Sequence, residues 1–164
     1  MNLKVEPSTL MSIFSMNLRK DVAHLPTLRR FFNRVITGKI EAYTSVLVMD
    51  ELFYRLLLGM IKDTYGSNPL DVLRQREAEV VAAYAPTIEN ALRKLVRLPH
   101  IHLVGIERDD FYQMATDITD YAIMPRDALH LAVMQRLRVT DIASDDADFD
   151  RVREVTRRWV VNPN

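Results

Sequence analysis

The sequence predicts an α/β fold, a single domain over residues 1–164 with a mostly parallel central sheet of four to five strands flanked by helices. Two observations carry that expectation. Short apolar runs alternate with longer stretches of helical periodicity, the pattern of strands that are buried and joined by crossover helices. The chain has 164 residues, 48% of them apolar, which suits one domain with a sizeable core.

Residues 2–5 read as a first strand ending at Glu6-Pro7-Ser8, after which Pro7 or Ser8 opens a short helix to about Phe14. Leu25, Leu28, Phe32, Val35 and Ile36 recur at helical spacing, and Gly38 stops that helix. Ala42 to Ser45 supplies a second strand. Thr44 or Ser45 then caps a strong helix over 46–61. Asn68-Pro69 caps a helix to about residue 84, and Pro86 opens another to about Arg97. Ile101 to Ile106 reads as a strand and 108–118 as a helix. Pro125 opens a helix to about Arg138, Val139 to Ser144 returns as a strand, and Trp159 to Val161 is the expected last strand.

Composition narrows the function classes. Lys+Arg and Asp+Glu both number 22, so the chain does not grip nucleic acid through bulk charge. The absence of cysteine excludes disulfides, thiol nucleophiles and thiolate metal sites. No basic stretch leads into an apolar one at the N-terminus, and uncharged apolar runs such as Leu56 to Ile61 are too short for a bilayer. A cytoplasmic protein without a membrane segment is expected. Phosphate-binding glycine loops and the H-E-x-x-H zinc motif are absent.

The acidic residues are more informative. Glu51 lies on a helix whose other residues are almost all apolar, among Leu47, Val48 and Leu58 on the inward face. A carboxylate there needs a cation, a partner such as Arg55 one turn on, or a raised pKa. Asp127 occupies the first turn of the helix opened by Pro125, where an acid also complements the helix dipole. Ser144-Asp145-Asp146-Ala147-Asp148-Phe149-Asp150 directly follows an apolar strand. It is no EF-hand, because Arg151 and Arg157 stand where the glycine and glutamate belong.

Glu6, Glu51, Asp127 and Asp146 each lie at a predicted strand end or in the helix that follows. In a parallel sheet such positions converge on one edge, beyond the carboxyl ends of the strands. Two like charges about 4 Å apart repel by roughly 4 kcal/mol at an effective dielectric near 20. Four converging carboxylates therefore call for a cation, and hard oxygen ligands select Mg²⁺ or Mn²⁺.

These residues resemble the PIN-domain family. Glu6-Pro7-Ser8-Thr9-Leu10 stands where the family has an acid after its first strand, and Thr44 to Glu51 where it has a Ser/Thr-led helix start with a glutamate. Pro125-Arg126-Asp127-Ala128-Leu129-His130-Leu131-Ala132 is similar to the third family motif. Ser144-Asp145-Asp146-Ala147-Asp148-Phe149 is similar to the fourth, with Asp146 following Asp127 by 19 residues.

The resemblance implies a Mg²⁺- or Mn²⁺-dependent endoribonuclease fold, similar to the toxin members of toxin–antitoxin pairs. It implies that Glu51, Asp127 and Asp146 hold metal, that Glu6 takes the first acidic place, that Asp148 has an outer role, and that Ser8 and Ser144 support the pocket. Glu6 departs from the family's usual Asp and reaches about 1.5 Å further. A PIN-like binding or assembly module that does not cut is the alternative. RNA contacts are expected from Arg29, Arg30, Arg34 and Lys39, from Arg126, or from Arg151, Arg153, Arg157 and Arg158. The apolar helix 46–61 suggests a homodimer, and the likeness adds a small antitoxin as a further expected partner.

Overall fold

The computed structural model describes residues 9–11, 25–144 and 146–158. Eleven elements follow in order: β1 (Thr9–Met11), α1 (Leu25–Ile36), β2 (Ala42–Ser45), α2 (Val46–Tyr65), α3 (Pro69–Val96), β3 (Ile101–Val104), α4 (Arg108–Tyr121), α5 (Pro125–Leu137), β4 (Asp141–Ala143), a 3₁₀ turn (Ala147–Arg151) and β5 (Thr156–Arg157). The chain divides into two compact units, one comprising residues 1–48 and 98–164 and the other residues 49–97.

The first unit holds a five-stranded sheet in the order β3-β2-β1-β4-β5, and every neighbouring pair is parallel. The α/β expectation and its parallel sheet are met. The chain steps outward from β1 to β2 and β3, then returns to lay β4 on the other side of β1. That reversal makes the gap between β1 and β4 the switch point of the sheet, where open α/β sheets bind ligands beyond their carboxyl ends. A helix that leads into a parallel strand runs against it, so α5 starts at this same carboxyl edge.

Two apolar clusters hold the unit together. Met134, Val139, Ile142 and Phe149 form one, with Tyr43 packed against it. Ile123, Ala128, Leu131 and Val152 form the other, joining the start of α5 to the segment after the 3₁₀ turn. Both α4 and α5 end in left-handed residues, Ala122 (φ 52°) and Arg138 (φ 55°). Gly38 ends α1 as expected. Its φ is +68°, and a Cβ there would lie 2.9 Å from Nε2 of His100. The second unit has its own core of Leu57, Ile61, Val80 and Ile88, lined by Phe53, Leu56, Leu73 and Tyr84.

Several expectations need correction. Thr9–Met11 is a strand rather than part of a helix; the strand expected over 2–5 lies outside the described residues. Thr9, Leu10 and Met11 pair with Asp141, Ile142 and Ala143, and ladder pairing on both sides outweighs the local helix signal of Pro7-Ser8. Pro86 does not open a separate helix: α3 runs through it. Proline suits a first turn best, but an exposed interior site tolerates the lost hydrogen bond when the flanking turns pack. The helix leaves regular geometry instead at Arg76 (φ −137°, ψ 33°). There the guanidinium lies 5.1 Å from the Tyr65 ring centroid and its Nε donates to Glu79 at 2.8 Å. The strand expected over 159–161 lies outside the described residues, and the edge strand β5 is Thr156–Arg157.

At the amino-terminal edge, Glu41 joins the entries of β2 and β3. Its carboxylate meets His102 Nε2 at 2.6 Å and His100 Nδ1 at 2.8 Å. The bonds to His102 and His100 hold the Glu41 carboxyl below its ordinary range. A carboxyl so held stabilises the fold above its unfolded pKa and ceases to do so as pH falls through the lowered value. The three side chains are solvent-accessible, so the effect is small. Glu41→Gln is expected to lower the melting temperature by about 1–2 °C at pH 6 and to match the parent protein at pH 3. Melts across that range check it; a deficit that grows toward acid contradicts the assignment.

Candidate functional site

Helix α5 places Asp127. Pro125 starts the helix with its fixed φ, Ala128 N–H closes the first turn on the Met124 carbonyl at 2.9 Å, and Asp127 is the third residue. Its side chain is 8% exposed, with Ala128, His130, Leu131, Ala132, Val133 and Met134 buried after it. Arg126, one residue earlier, is exposed. The acid is thus held at the carboxyl edge of the sheet by a helix with little solvent face of its own.

Strand β4 places Asp146. Ser144 follows the strand directly, is 2% exposed, and its Oγ accepts the Asp146 N–H at 3.1 Å. Asp146 then caps the 3₁₀ turn, its Oδ1 accepting the Asp148 N–H at 2.9 Å. Two short side-chain-to-backbone bonds therefore fix the turn, the local preference of Ser and Asp at such places. A carboxylate has about four acceptor sites, so capping leaves Asp146 with lone pairs to offer. Ser144 was expected to support the pocket; in the structure its hydroxyl holds the Asp146 turn.

The other predicted residues fare differently. Glu51 is on α2 and buried at 5% exposed, as its helical face required; it belongs to the second unit. Asp148 is tied to a cation, Arg151 Nη2 standing 2.9 Å from its Oδ1, which sets it in the frame of the turn. Glu6 and Ser8 lie outside the described residues.

Arg29, Arg30 and Arg34 are exposed on α1, and Lys39 is exposed beyond it. The basic group at the C-terminal end is largely paired with acids. Arg151 pairs with Asp148, Arg157 with Asp150 at 2.7 Å, and Arg158 with Asp141. The Arg157 bond holds the Asp150 carboxyl below its ordinary range.

Besides Asp141, 3% exposed and paired with Arg158, two buried acids among the described residues were missed by the sequence reading. Asp110, 2% exposed, takes Arg136 Nε at 2.8 Å and Nη2 at 3.0 Å, and it also accepts the Glu107 N–H at 2.8 Å. The bonds from Asp110 raise the Arg136 pKa further. Asp117, 1% exposed, accepts from Gln113 at 2.9 Å and Gln135 at 3.2 Å. Both link α4 to α5. The Glu107-x-x-Asp110 spacing at the start of α4 was the one local signal for either.

The donor chemistry of Asp127 and Asp146 fits a hard divalent cation, with carboxylate oxygens and no sulfur. Among the described residues, no group of three His, Cys, Asp or Glu side chains is arranged to hold a metal ion. No helix among them is long and apolar enough to cross a membrane.

Comparison with known proteins adds the following. The PIN domain profile matches residues 18–155. Among solved structures, the fold is similar to a chain from a toxin–antitoxin complex of Klebsiella pneumoniae. The identity is 12%, the alignment covers 94% of this chain and 99% of that one, and the TM-score is 0.50. At such identity the likeness concerns the fold. None of the curated proteins matches this chain in sequence.

Ser144→Ala removes the acceptor that orders the Asp146 N–H. The expected cost is about 1 kcal/mol of unfolding free energy, measured by urea denaturation. An unchanged midpoint and slope would show that the hydroxyl does not hold the turn.

Proposed function

The chain belongs to the PIN-domain family, and on that premise we propose that it is a Mg²⁺- or Mn²⁺-dependent endoribonuclease that hydrolyses RNA phosphodiester bonds. The observation that carries the reading is the buried Asp127 at the start of α5, together with the Asp146 turn beyond β4, both at the carboxyl edge of the sheet. Residues 1–164 are read as one PIN-like domain, since the profile match runs through both compact units.

In this reading Asp127 and Asp146 contribute the carboxylates that hold the cation. Bound there, Mg²⁺ or Mn²⁺ supplies a water of lowered pKa and neutralises charge on the phosphoryl oxygens. Burial of Asp127 keeps its carboxylate oriented by packing, and the Ser144 bond keeps the Asp146 turn from rearranging. Exposed Arg126, adjacent to Asp127, and Arg29, Arg30 and Arg34 on α1 offer contacts to RNA phosphates. The family implies a cytoplasmic protein acting as a homodimer. The fold shared with the Klebsiella pneumoniae complex supports a small antitoxin as partner.

A second reading, a PIN-like binding or assembly module that does not cut, is favoured by one finding: the described residues do not assemble a three-ligand metal group. Metal binding separates the two. The ribonuclease reading expects Mn²⁺ binding by calorimetry and Mn²⁺-dependent cleavage of single-stranded RNA. Asp127→Asn is expected to bring cleavage to background without lowering the melting temperature. Full cleavage by that variant removes Asp127 from the site, and no binding at millimolar Mn²⁺ favours the module.

A further inference from the structure

The turn that carries Asp146 and the helix that carries Asp127 are joined by a side chain outside both motifs. Arg151 closes the 3₁₀ turn. Its Nη2 lies 2.9 Å from Asp148 Oδ1, and its Nη1 donates to the Ala122 carbonyl at 2.7 Å. The Asp148 N–H in turn donates to Asp146 Oδ1 at 2.9 Å. Ala122 is the left-handed residue that ends α4, and Pro125 opens α5 directly after Ile123 and Met124. An unbroken line of three polar contacts thus runs from the Asp146 carboxylate to the loop from which α5 starts.

The chemistry of this line requires arginine. The planar guanidinium sends two N–H groups in fixed directions, one toward a carboxylate and one toward a carbonyl; a lysine ammonium has no such fork. The carbonyl also belongs to the C-terminal end of α4, where the helix dipole favours a cation. The link adds little to global stability, because Arg151 is 51% exposed. The apolar cluster of Ile123, Ala128, Leu131 and Val152 already binds the same two segments. What Arg151 adds is direction, since apolar contacts leave a turn free to rock where a two-pronged polar contact does not.

We propose that Arg151 is a positioning residue that sets the Asp146 turn against the start of α5. The spacing of the Asp146 and Asp127 carboxylates is then fixed before any cation or substrate arrives. The inference rests on the reading of those two acids as members of one metal site. Asp148 serves in it as the strut between Arg151 and Asp146.

The test compares Arg151→Ala, Arg151→Lys, Asp148→Ala and the Arg151→Ala/Asp148→Ala double variant, by thermal melting and by Mn²⁺ titration calorimetry. Arg151→Ala is expected to melt within about 3 °C of the parent protein. It should bind Mn²⁺ about tenfold more weakly, the scale of lost supporting contacts around a metal. Arg151→Lys should not restore the affinity, and the double variant should be no weaker than Arg151→Ala. Metal-free hydrogen exchange at the Asp148 amide should quicken in Arg151→Ala. Parent-like Mn²⁺ affinity in Arg151→Ala, full recovery in Arg151→Lys, or a loss that only tracks unfolding would each overturn the proposal while leaving the ribonuclease reading intact. If the parent protein binds no Mn²⁺, that reading fails and takes this inference with it.

Discussion

Helix α5 is buried on nearly every side. Ala128, Leu131, Ala132, Val133 and Met134 are each at most 1% exposed, so no rotation about the helix axis presents a solvent face. Close packing of that kind admits few alternative positions, because a small displacement opens voids along the whole length. The far end is pinned as well: Arg136 reaches Asp110 and, through Nη2, the Gly105 carbonyl at 2.8 Å. The place of Asp127 thus follows from where α5 begins.

The sheet supplies the second half of the same constraint. Because β4 returns beside β1 after the excursion to β3, the segments leaving β4 emerge at the one reversal in strand order. The Asp146 turn is such a segment, and it is only four residues removed from the strand that Phe149 helps to bury. Phe149 packs with Met134 of α5 in one cluster, while Val152 packs with Ala128 and Leu131 in the other. The two acidic motifs are thus connected by apolar contacts as well as by the polar line through Arg151. Packing brings the segments together; hydrogen bonds set their angle.

What the sequence disclosed follows from which signals are local. Pro125 before Asp127, the inward face of Glu51 and the stop at Gly38 depend on neighbours within a turn, and each was legible. The acidic turn after the apolar strand was legible too, but the bonds of Ser144 and Asp146 to its backbone were not. The strand at Thr9–Met11 was not legible, because three residues carry little local signal and only pairing with β2 and β4 marks it. Pro86 misled for a related reason: its helix-opening preference is real but weaker than the packing of the helix around it. Asp110 and Asp117 looked like ordinary surface acids. Their partners Arg136 and Gln135 stand 26 and 18 residues away, a pairing that exists only after α4 and α5 have docked.

The position of β1 also bears on how much charge the site holds. With the strand at Thr9–Met11, the chain beyond its carboxyl end runs Ser12 to Lys20 before the next acid, Asp21, and Glu6 comes before the strand. The profile match likewise begins at residue 18, past Glu6 and Ser8. The case for a cation began from four mutually repelling carboxylates, but repulsion grows with the number of pairs: six among four charges, three among three, one between two. Each carboxylate removed from the edge lowers both the cost of leaving the site empty and the attraction for a divalent ion. In the proposed reading, a site resting on Asp127 and Asp146 carries less self-repulsion when empty than a four-acid site. Its affinity then depends on how rigidly those few oxygens are held, which is why side chains that bear no ligand atom, Ser144 and Arg151, matter to the chemistry of this protein.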